Sequence, residues 1–515
     1  MPELSLALAH MEVKPGQPAE NRAELLRLFS AAADQGARLA VGPEMCLSGY
    51  CFERREDIAP FVETDDGPTA AALAALAKER QIWLAAAWAE RDRRTDMFYN
   101  SAFFFGPDGR LAGRYRKVNA ESRWACPGPA AQDNVFSTPW GGLGLLVCAD
   151  SYHSLMPRSA AMKGADLIVI PANWPNSGLD PRSIWRLRAL ENGCFVLVCN
   201  RTGRDGDMDC RSGSSFLAGP GGEVRLDRRS ETSCLILTSL PLTKEGRLAG
   251  LERRRLLASR RRELYHRCYG HFSGIADLTS FLRLPAPGFL DVHCLTMTED
   301  DDPVALCQRQ APFLRPGGLA LLPLHPYADA GLERLRTLAL ENGLTFLAAR
   351  QDQGLQYFWL GAETRSFRLP DELGEHDGYP RLDCGPARVM LAPLRHLLHP
   401  ELALSAAKWG VDLTVSSEEI ITPAYRNLIA LRPIEQIALA AAGRNGAAIA
   451  LPPQGHQAGR GAACGPGDHC QYVLDTRETR RKLFQDRIDF ETLFQPASEA
   501  EGPGNDEAGH ERVQL

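Results

Sequence analysis

Apolar positions along the chain fall into short runs that stop abruptly at polar or charged residues, and these runs predict the elements. Leu4-Ser-Leu-Ala-Leu-Ala9 reads as a first buried strand. Asn21 is placed to cap a helix that carries Leu25, Leu26, Leu28, Phe29 and Ala32 on one face and closes at Gly36. Ala37-Arg-Leu-Ala-Val-Gly-Pro-Glu44 makes a second strand that ends on an acid. A helix over 69–80 and a strand over 82–88 come next. Two further runs, 98–105 and 109–115, fold back across Gly106-Pro-Asp-Gly109, where Pro presets one turn angle and Gly tolerates the other. Lys117 and Glu121 follow at once. The strand beginning at Leu143 halts at Cys148-Ala149-Asp150, residues 151–164 carry helix formers, and Ala165-Asp-Leu-Ile-Val-Ile-Pro171 is the next buried strand. This is a strand, crossover, strand unit with a thiol at its turn. On this reading Glu44, Lys117, Glu121 and Cys148 all follow strands of one sheet system, whose ends along one edge are neighbours in space.

Composition narrows the picture. At 515 residues the chain exceeds one ordinary core, so two or more domains are expected. With 58 basic and 64 acidic residues the net charge is -6, which gives no electrostatic case for nucleic acid or an anionic membrane as partner. The 14 cysteines are spread singly, and the first residues, Met-Pro-Glu-Leu-Ser, lack a charged and then apolar leader. A reduced, cytoplasmic setting is the expectation. No apolar run approaches the ~20 residues that cross a bilayer.

A cysteine taken alone is more often a small buried hydrophobe than a nucleophile. The company of Cys148 alters that. Pro43-Glu44 with Gly49-Tyr50, Tyr115-Arg116-Lys117 and Val147-Cys148-Ala149-Asp150 resemble, in order and spacing, the glutamate, lysine and cysteine motifs of the nitrilase superfamily of carbon–nitrogen hydrolases. Pro171-Ala-Asn-Trp-Pro175, Arg188-Ala-Leu-Glu-Asn192, Asn200-Arg-Thr-Gly203 and Gly213-Ser-Ser-Phe216 with Gly219-Pro-Gly-Gly222 extend the resemblance to about Tyr265. The resemblance implies an α/β fold of α-β-β-α sandwich type and catalysis with no metal and no organic cofactor. It implies Cys148 as nucleophile, Glu44 as the base that takes and returns its proton, and Lys117 with the Ala149 N–H as donors to a developing oxyanion. Glu121, six residues before Pro127-Gly128, matches the second glutamate of the family, although the segment from Lys117 to Glu121 is shorter than in many relatives. Tyr50, His153, Asn173 and Trp174 lie beside the motifs as candidate pocket walls; core packing is the competing reading for Tyr50 and Trp174. Asp150, where true nitrilases resemble one another in a tryptophan and glutamate pair, tilts the expectation to a small amide or ureido substrate. Nitrile hydrolysis, acyl transfer to an amine, and an inactive binding or scaffold protein stay open at this stage.

After Leu237 the character changes. Residues 244–262 are rich in Arg without interleaved aromatics, which suits a solvated helix or a subunit-contact arm better than a nucleic-acid patch. The first domain is expected to span 1–268 and a second 269–495, with 496–515 a disordered acidic tail. The second half repeats the apolar pattern of the first. Gly318-Leu-Ala-Leu-Leu-Pro323 lies over Arg38–Pro43 and puts Leu324 at the place of Glu44. The run from Ala387 puts Leu394 at the place of Cys148, the stretch 364–370 puts Ser366 at that of Lys117, and Arg432-Pro-Ile-Glu-Gln436 repeats Arg188–Asn192. These matches predict two tandem sandwich domains, the second without the triad, docked on the first as a pseudo-dimer that could assemble further, with a small molecule as the substrate. Cys464, Cys470, His456 and His469 fit no common zinc spacing, and 455–467 reads as a mobile Gly-rich loop. Gly219–Gly222 reads as a turn without a phosphate cradle.

Overall fold

The computed structural model describes residues 2–175, 178–270, 272, 275, 277–298, 300–369, 378–454, 459–482 and 492–493. His456 and the tail 496–515 lie outside the described residues. Four six-stranded sheets carry the fold. In the first half one sheet runs, in spatial order, Cys234–Pro241, Glu3–His10, Leu39–Val41, Trp83–Arg91, Phe98–Phe105, Leu111–Arg116. The other runs Val224–Arg228, Ser215–Ala218, Phe195–Asn200, Ala165–Ala172, Gly141–Leu145, Val135–Thr138. Leu4, Leu6, Leu8 and Val41 of the first pack with Leu143, Leu145, Leu167 and Val169 of the second in one apolar cluster, so the sheets are face to face. Helices Pro18–Asp34 and Pro68–Arg80 cover the outer face of the first sheet. Leu155–Met162 and Pro181–Asn192 cover that of the second, completing an α-β-β-α sandwich.

Several expectations need correcting. The candidate residues follow strands of two stacked sheets, not one: Glu44 and Lys117 come after strands of the first, Cys148 after a strand of the second. The second strand pairs only over Leu39–Val41, because Gly42-Pro43 leaves the ladder. Asn21 is not the helix cap; Pro18 opens the helix, and the Asn21 amide holds the Lys14 and Leu47 carbonyls. Ahead of the crossover helix, Cys148–Ser151 forms a tight 3₁₀ turn. The Gly-rich stretch contains a strand, Gly461–Cys464, paired with Gly446–Ala450, and a Cβ at Gly461 would sit 2.1 Å from the Ile449 carbonyl oxygen.

The second half builds the same sandwich. Its sheets run Arg365–Leu369, Leu355–Leu360, Thr345–Gln351, Leu319–Leu324, Phe289–Leu295, His469–Asp475, and Arg381–Cys384, Ala387–Leu391, Leu413–Ser417, Ala438–Gly443, Gly446–Ala450, Gly461–Cys464. Strand pairing fixes which positions correspond. Leu324 donates its N–H to Glu418 O as Glu44 donates to Ala172 O. Gln356 faces Arg368 as Ser101 faces Arg116, so Leu369, not Ser366, occupies the Lys117 register, and Leu355 occupies that of Asn100. Val389 pairs with Leu413 as Leu143 pairs with Leu167, which sets Leu394 at the Cys148 register.

The halves meet through their helices. Leu179, Ile184, Leu187 and Tyr265 share an apolar cluster with Leu402, Ala406, Leu428 and Leu431. The Arg-rich segment contains the helix Leu251–Ala258; Arg254 and Arg255 are exposed, whereas Arg253 pairs with Asp166 and Arg260 reaches Glu401. Glu401 is fully buried, yet Arg158 and Arg260 outweigh that burial and hold its pKa down at about 2. Burial beside Arg158 pushes His399 to about 3. Both groups bind fewer protons folded than unfolded at mild acidity. The contact is therefore expected to be fully stabilising above pH ~6.5 and to weaken as pH falls, first through the ordinary histidine range and then through that of Glu401, by on the order of 3 kcal/mol for the glutamate. Denaturant melts between pH 7 and 3 check this; Glu401→Gln should flatten the lower limb.

Candidate active site

Each candidate side chain is delivered by a strand end. Glu44 follows Gly42-Pro43, and Met45 directly after it has φ 50°. Lys117 stands one residue past Leu111–Arg116, its N–H bonded to the Asn100 carbonyl. Cys148 opens the 3₁₀ turn at φ 43°. A left-handed conformation costs a non-glycine residue of order 1 kcal/mol or more and persists only where surroundings impose it. In the second half neither His325 nor Leu394, which stand at the registers of Met45 and Cys148, has a positive φ.

The three side chains meet between the sheets. Lys117 Nζ lies 2.8 Å from Glu44 Oε1 and 2.6 Å from Glu121 Oε1. Asn100 Nδ2 donates to Glu44 Oε1 at 2.7 Å and to Glu121 Oε2 at 3.3 Å. The Tyr50 hydroxyl donates to Glu121, and Lys117 Nζ approaches that hydroxyl at 3.3 Å. Among the described residues Glu44 Oε2 is buried without a hydrogen-bonding nitrogen or oxygen, and the Cys148 thiol lies against the same carboxylate. Cys148 is only 6 % exposed and Glu44 and Lys117 at most 1 %.

Charge is unevenly tuned here. Burial, aided by Glu121, raises Glu44 above the usual carboxylate range despite Lys117. Burial pushes Glu121 up too, but the Lys117 ammonium and the donors around it bring it below that range. Burial opposes the Lys117 charge, and Glu121 with Glu44 more than offsets it. Burial and the Glu44 carboxylate raise the Cys148 thiol, while Lys117 and the Asn173 backbone pull the other way. The resting site thus favours a neutral thiol beside a carboxyl poised to exchange a proton.

Asn100, which sequence reasoning did not single out, and Asp150, to which it gave a different role, complete the site. Asn100 is the polar residue on the inward face of Phe98–Phe105, in line with the apolar Ala102 and Phe104, and that break in pattern was its signal. Asp150 is fully buried: Oδ2 accepts from Tyr115 Oη at 2.8 Å and Val118 N at 3.2 Å, and Oδ1 from Asn119 N and Nδ2, both at 2.8 Å. It straps the nucleophile's turn to the segment holding Lys117 and Glu121. Asp150→Ala should orphan those donors, costing about 1–3 kcal/mol for each group left unpaired, and lower turnover; thermal melts and kcat of the folded variant check it.

The candidate pocket walls divide. Tyr50 is at the centre, fixed by Asp205, whose Oδ2 accepts the Tyr50 N–H and would lie 2.6 Å from a Cβ at Gly49, itself at φ 84°. Asn173 places its backbone against the Cys148 thiol. Trp174 stands edge-on to Trp185, ring centroids 5.9 Å apart. The His153 ring packs edge-on against Tyr152. Ala149 follows the nucleophile inside the turn.

An acid, an ammonium and a thiol sealed between two sheets, with a second acid behind the cation, define a cysteine hydrolase of the α-β-β-α class. The sequence profile of the carbon–nitrogen hydrolase family matches residues 5–248. A nitrilase from Pyrococcus abyssi is 33% identical over 44% of this chain and 85% of its own. A 2-oxoglutaramate amidase from Bacillus subtilis is 27% identical over 43% of this chain and 84% of its own. A crystal structure of an amidase from Nesterenkonia sp. matches at 25% identity and a TM-score of 0.41, covering 46% of this chain and 90% of that one. The chain belongs to the carbon–nitrogen hydrolase family, the nitrilase superfamily, and is an enzyme that cleaves carbon–nitrogen bonds. Among the described residues no helix is long and apolar enough to cross a membrane.

Proposed function

We propose that residues 1–268 hydrolyse a small non-peptide amide or carbamoyl bond through a thioester on Cys148. The observation that carries this is the meeting of Glu44, Lys117 and Cys148 in one buried cluster, with Glu121 and Asn100 behind it. Glu44 takes the thiol proton as sulfur attacks the carbonyl carbon. Lys117 and the Ala149 N–H receive the charge developing on oxygen. The C–N bond then breaks, and ammonia leaves with the proton that Glu44 returns. Water, deprotonated by the same carboxylate, attacks the thioester and restores the thiol. Glu121 and Asn100 hold the ammonium and the base in register throughout. No cofactor enters this scheme.

A thiol 6 % exposed, with the half-buried Tyr50 beside it, favours a small, compact substrate. The 2-oxoglutaramate amidase among the relatives supports an amide. Asp150, committed to its strap, is not available as a substrate ligand. Nitrile hydrolysis is the second reading, favoured by the Pyrococcus relative's name. A panel of small amides, ureido acids and nitriles scored for ammonia and acid tests the choice. Amides turning over fastest supports the reading; nitriles alone, or a new amide in place of acid, overturns it.

For residues 269–495 we propose a catalytically silent domain that packs on the first as a pseudo-dimer within one chain. Leu324, Leu355, Leu369 and Leu394 stand at the registers of Glu44, Asn100, Lys117 and Cys148, and the first three pack in the apolar layer between the sheets. Exchanging a buried ionic cluster for apolar side chains is neutral to stabilising, which suits a domain kept for its fold.

A further inference from the structure

We infer that Arg432 and Glu435, from the second half, are positioning residues for the nucleophile of the first. The turn carrying Cys148 is tied by Ser151 Oγ, which donates to Cys148 O at 2.7 Å, and Trp185 Nε1 bonds that hydroxyl at 3.3 Å. Arg188 grips the next carbonyls, Nε on Ser151 O at 2.8 Å and Nη2 on Tyr152 O at 2.6 Å, and gives Nη1 to Glu191 Oε1. The other oxygen of Glu191 is held by Arg432 Nη2 at 2.5 Å, across the contact between halves. Arg188, Glu191 and Arg432 are all at most 1 % exposed. A second tie runs from Ser154, three residues past the turn, to the buried carboxyl of Glu435.

Arg188 and Glu191 recur in the second half as Arg432 and Glu435, so one Arg–Glu pair from each half meets at the contact. The use made of them is unequal. Arg188 braces the nucleophile's turn, whereas among the described residues Arg432 has Nε and Nη1 buried without partners and gives a single hydrogen bond, to Glu191. An interior guanidinium so poorly satisfied is costly for stability alone. What it achieves is to fix the Glu191 carboxylate, which in turn aims the Arg188 fork at Ser151 and Tyr152. A silent domain thereby acts on catalysis without touching substrate.

The inference rests on the reading of Cys148 as nucleophile, and its test separates the two. The alkylation rate of the Cys148 peptide by iodoacetamide, followed by mass spectrometry on the full chain without substrate, reports the turn itself. For Arg432→Met and Glu435→Ala that rate should fall about tenfold. On the best amide, kcat should fall likewise while KM stays within about twofold, and Arg432→Lys should recover most of the loss. Folded variants that label and turn over like the parent, with only the melting temperature lowered, overturn it. If Arg432→Met does not fold, Glu435→Ala and Arg432→Lys distinguish the same two outcomes. Slowed labelling in a chain that hydrolyses no amide would leave this inference standing and remove the proposed substrate class.

Discussion

Cys148→Ala is expected to abolish turnover, at least about a thousandfold in kcat, while leaving the melting temperature near that of the parent. In the proposed mechanism sulfur carries the acyl group, and residues acting as one unit lose nearly everything when one is removed. The side chain is small, so its loss leaves only a minor cavity. The same variant tests the second half. Leucines at the registers of Glu44, Asn100, Lys117 and Cys148 supply no nucleophile, base or cation. Activity persisting in Cys148→Ala would therefore demand a competent centre elsewhere in the chain.

Lys117→Met should cost both activity and stability, and so behave differently. Glu44 Oε1 and Glu121 Oε1 lie 2.8 and 2.6 Å from the one ammonium; Glu44 and the ammonium are sealed from water, and the Glu121 side chain is only 9 % exposed. Removing the cation leaves two facing carboxyls without it, at a cost of about 3–5 kcal/mol in a buried pair. Glu44 would then titrate still higher, and the oxyanion would lose its charged donor, for a further loss of about a hundredfold or more in kcat. Adding Glu44→Gln to Lys117→Met should restore part of the stability, by removing the uncompensated charge, and none of the turnover. Denaturant melts and steady-state kinetics on the single and double variants distinguish these outcomes. A Lys117→Met protein as stable as the parent would show that the cation is not the counter-charge the geometry makes it.

Much of this site was legible in the sequence because its members are marked by contrast. Glu44, Lys117 and Cys148 each come just after a strand ends, and their order and spacing with the neighbouring motifs set them apart from solvated charges and a buried thiol. What the sequence could not convey was the layer in which each strand lies. Period-2 patterning distinguishes buried from exposed faces but not which of two stacked sheets a strand joins, so a single edge was expected where two facing sheets meet. Asn21 misled because a capping residue and an interior amide that holds two carbonyls look alike in sequence. Ser366 was displaced by Leu369 because register is set by strand pairing, which one loose polar stretch does not reveal. Asp150 was read as a clue to substrate, and its role as a strap depends on backbone donors that carry no sequence signature.

The proposed catalysis turns on a covalent acyl group carried by Cys148. Rapid quenching of the parent enzyme during turnover of its best amide, followed by digestion and peptide mass spectrometry, should find the acyl mass on the Cys148 peptide alone, rising and decaying with turnover. Turnover with that peptide unmodified throughout, or an acyl mass on any other residue, would contradict it.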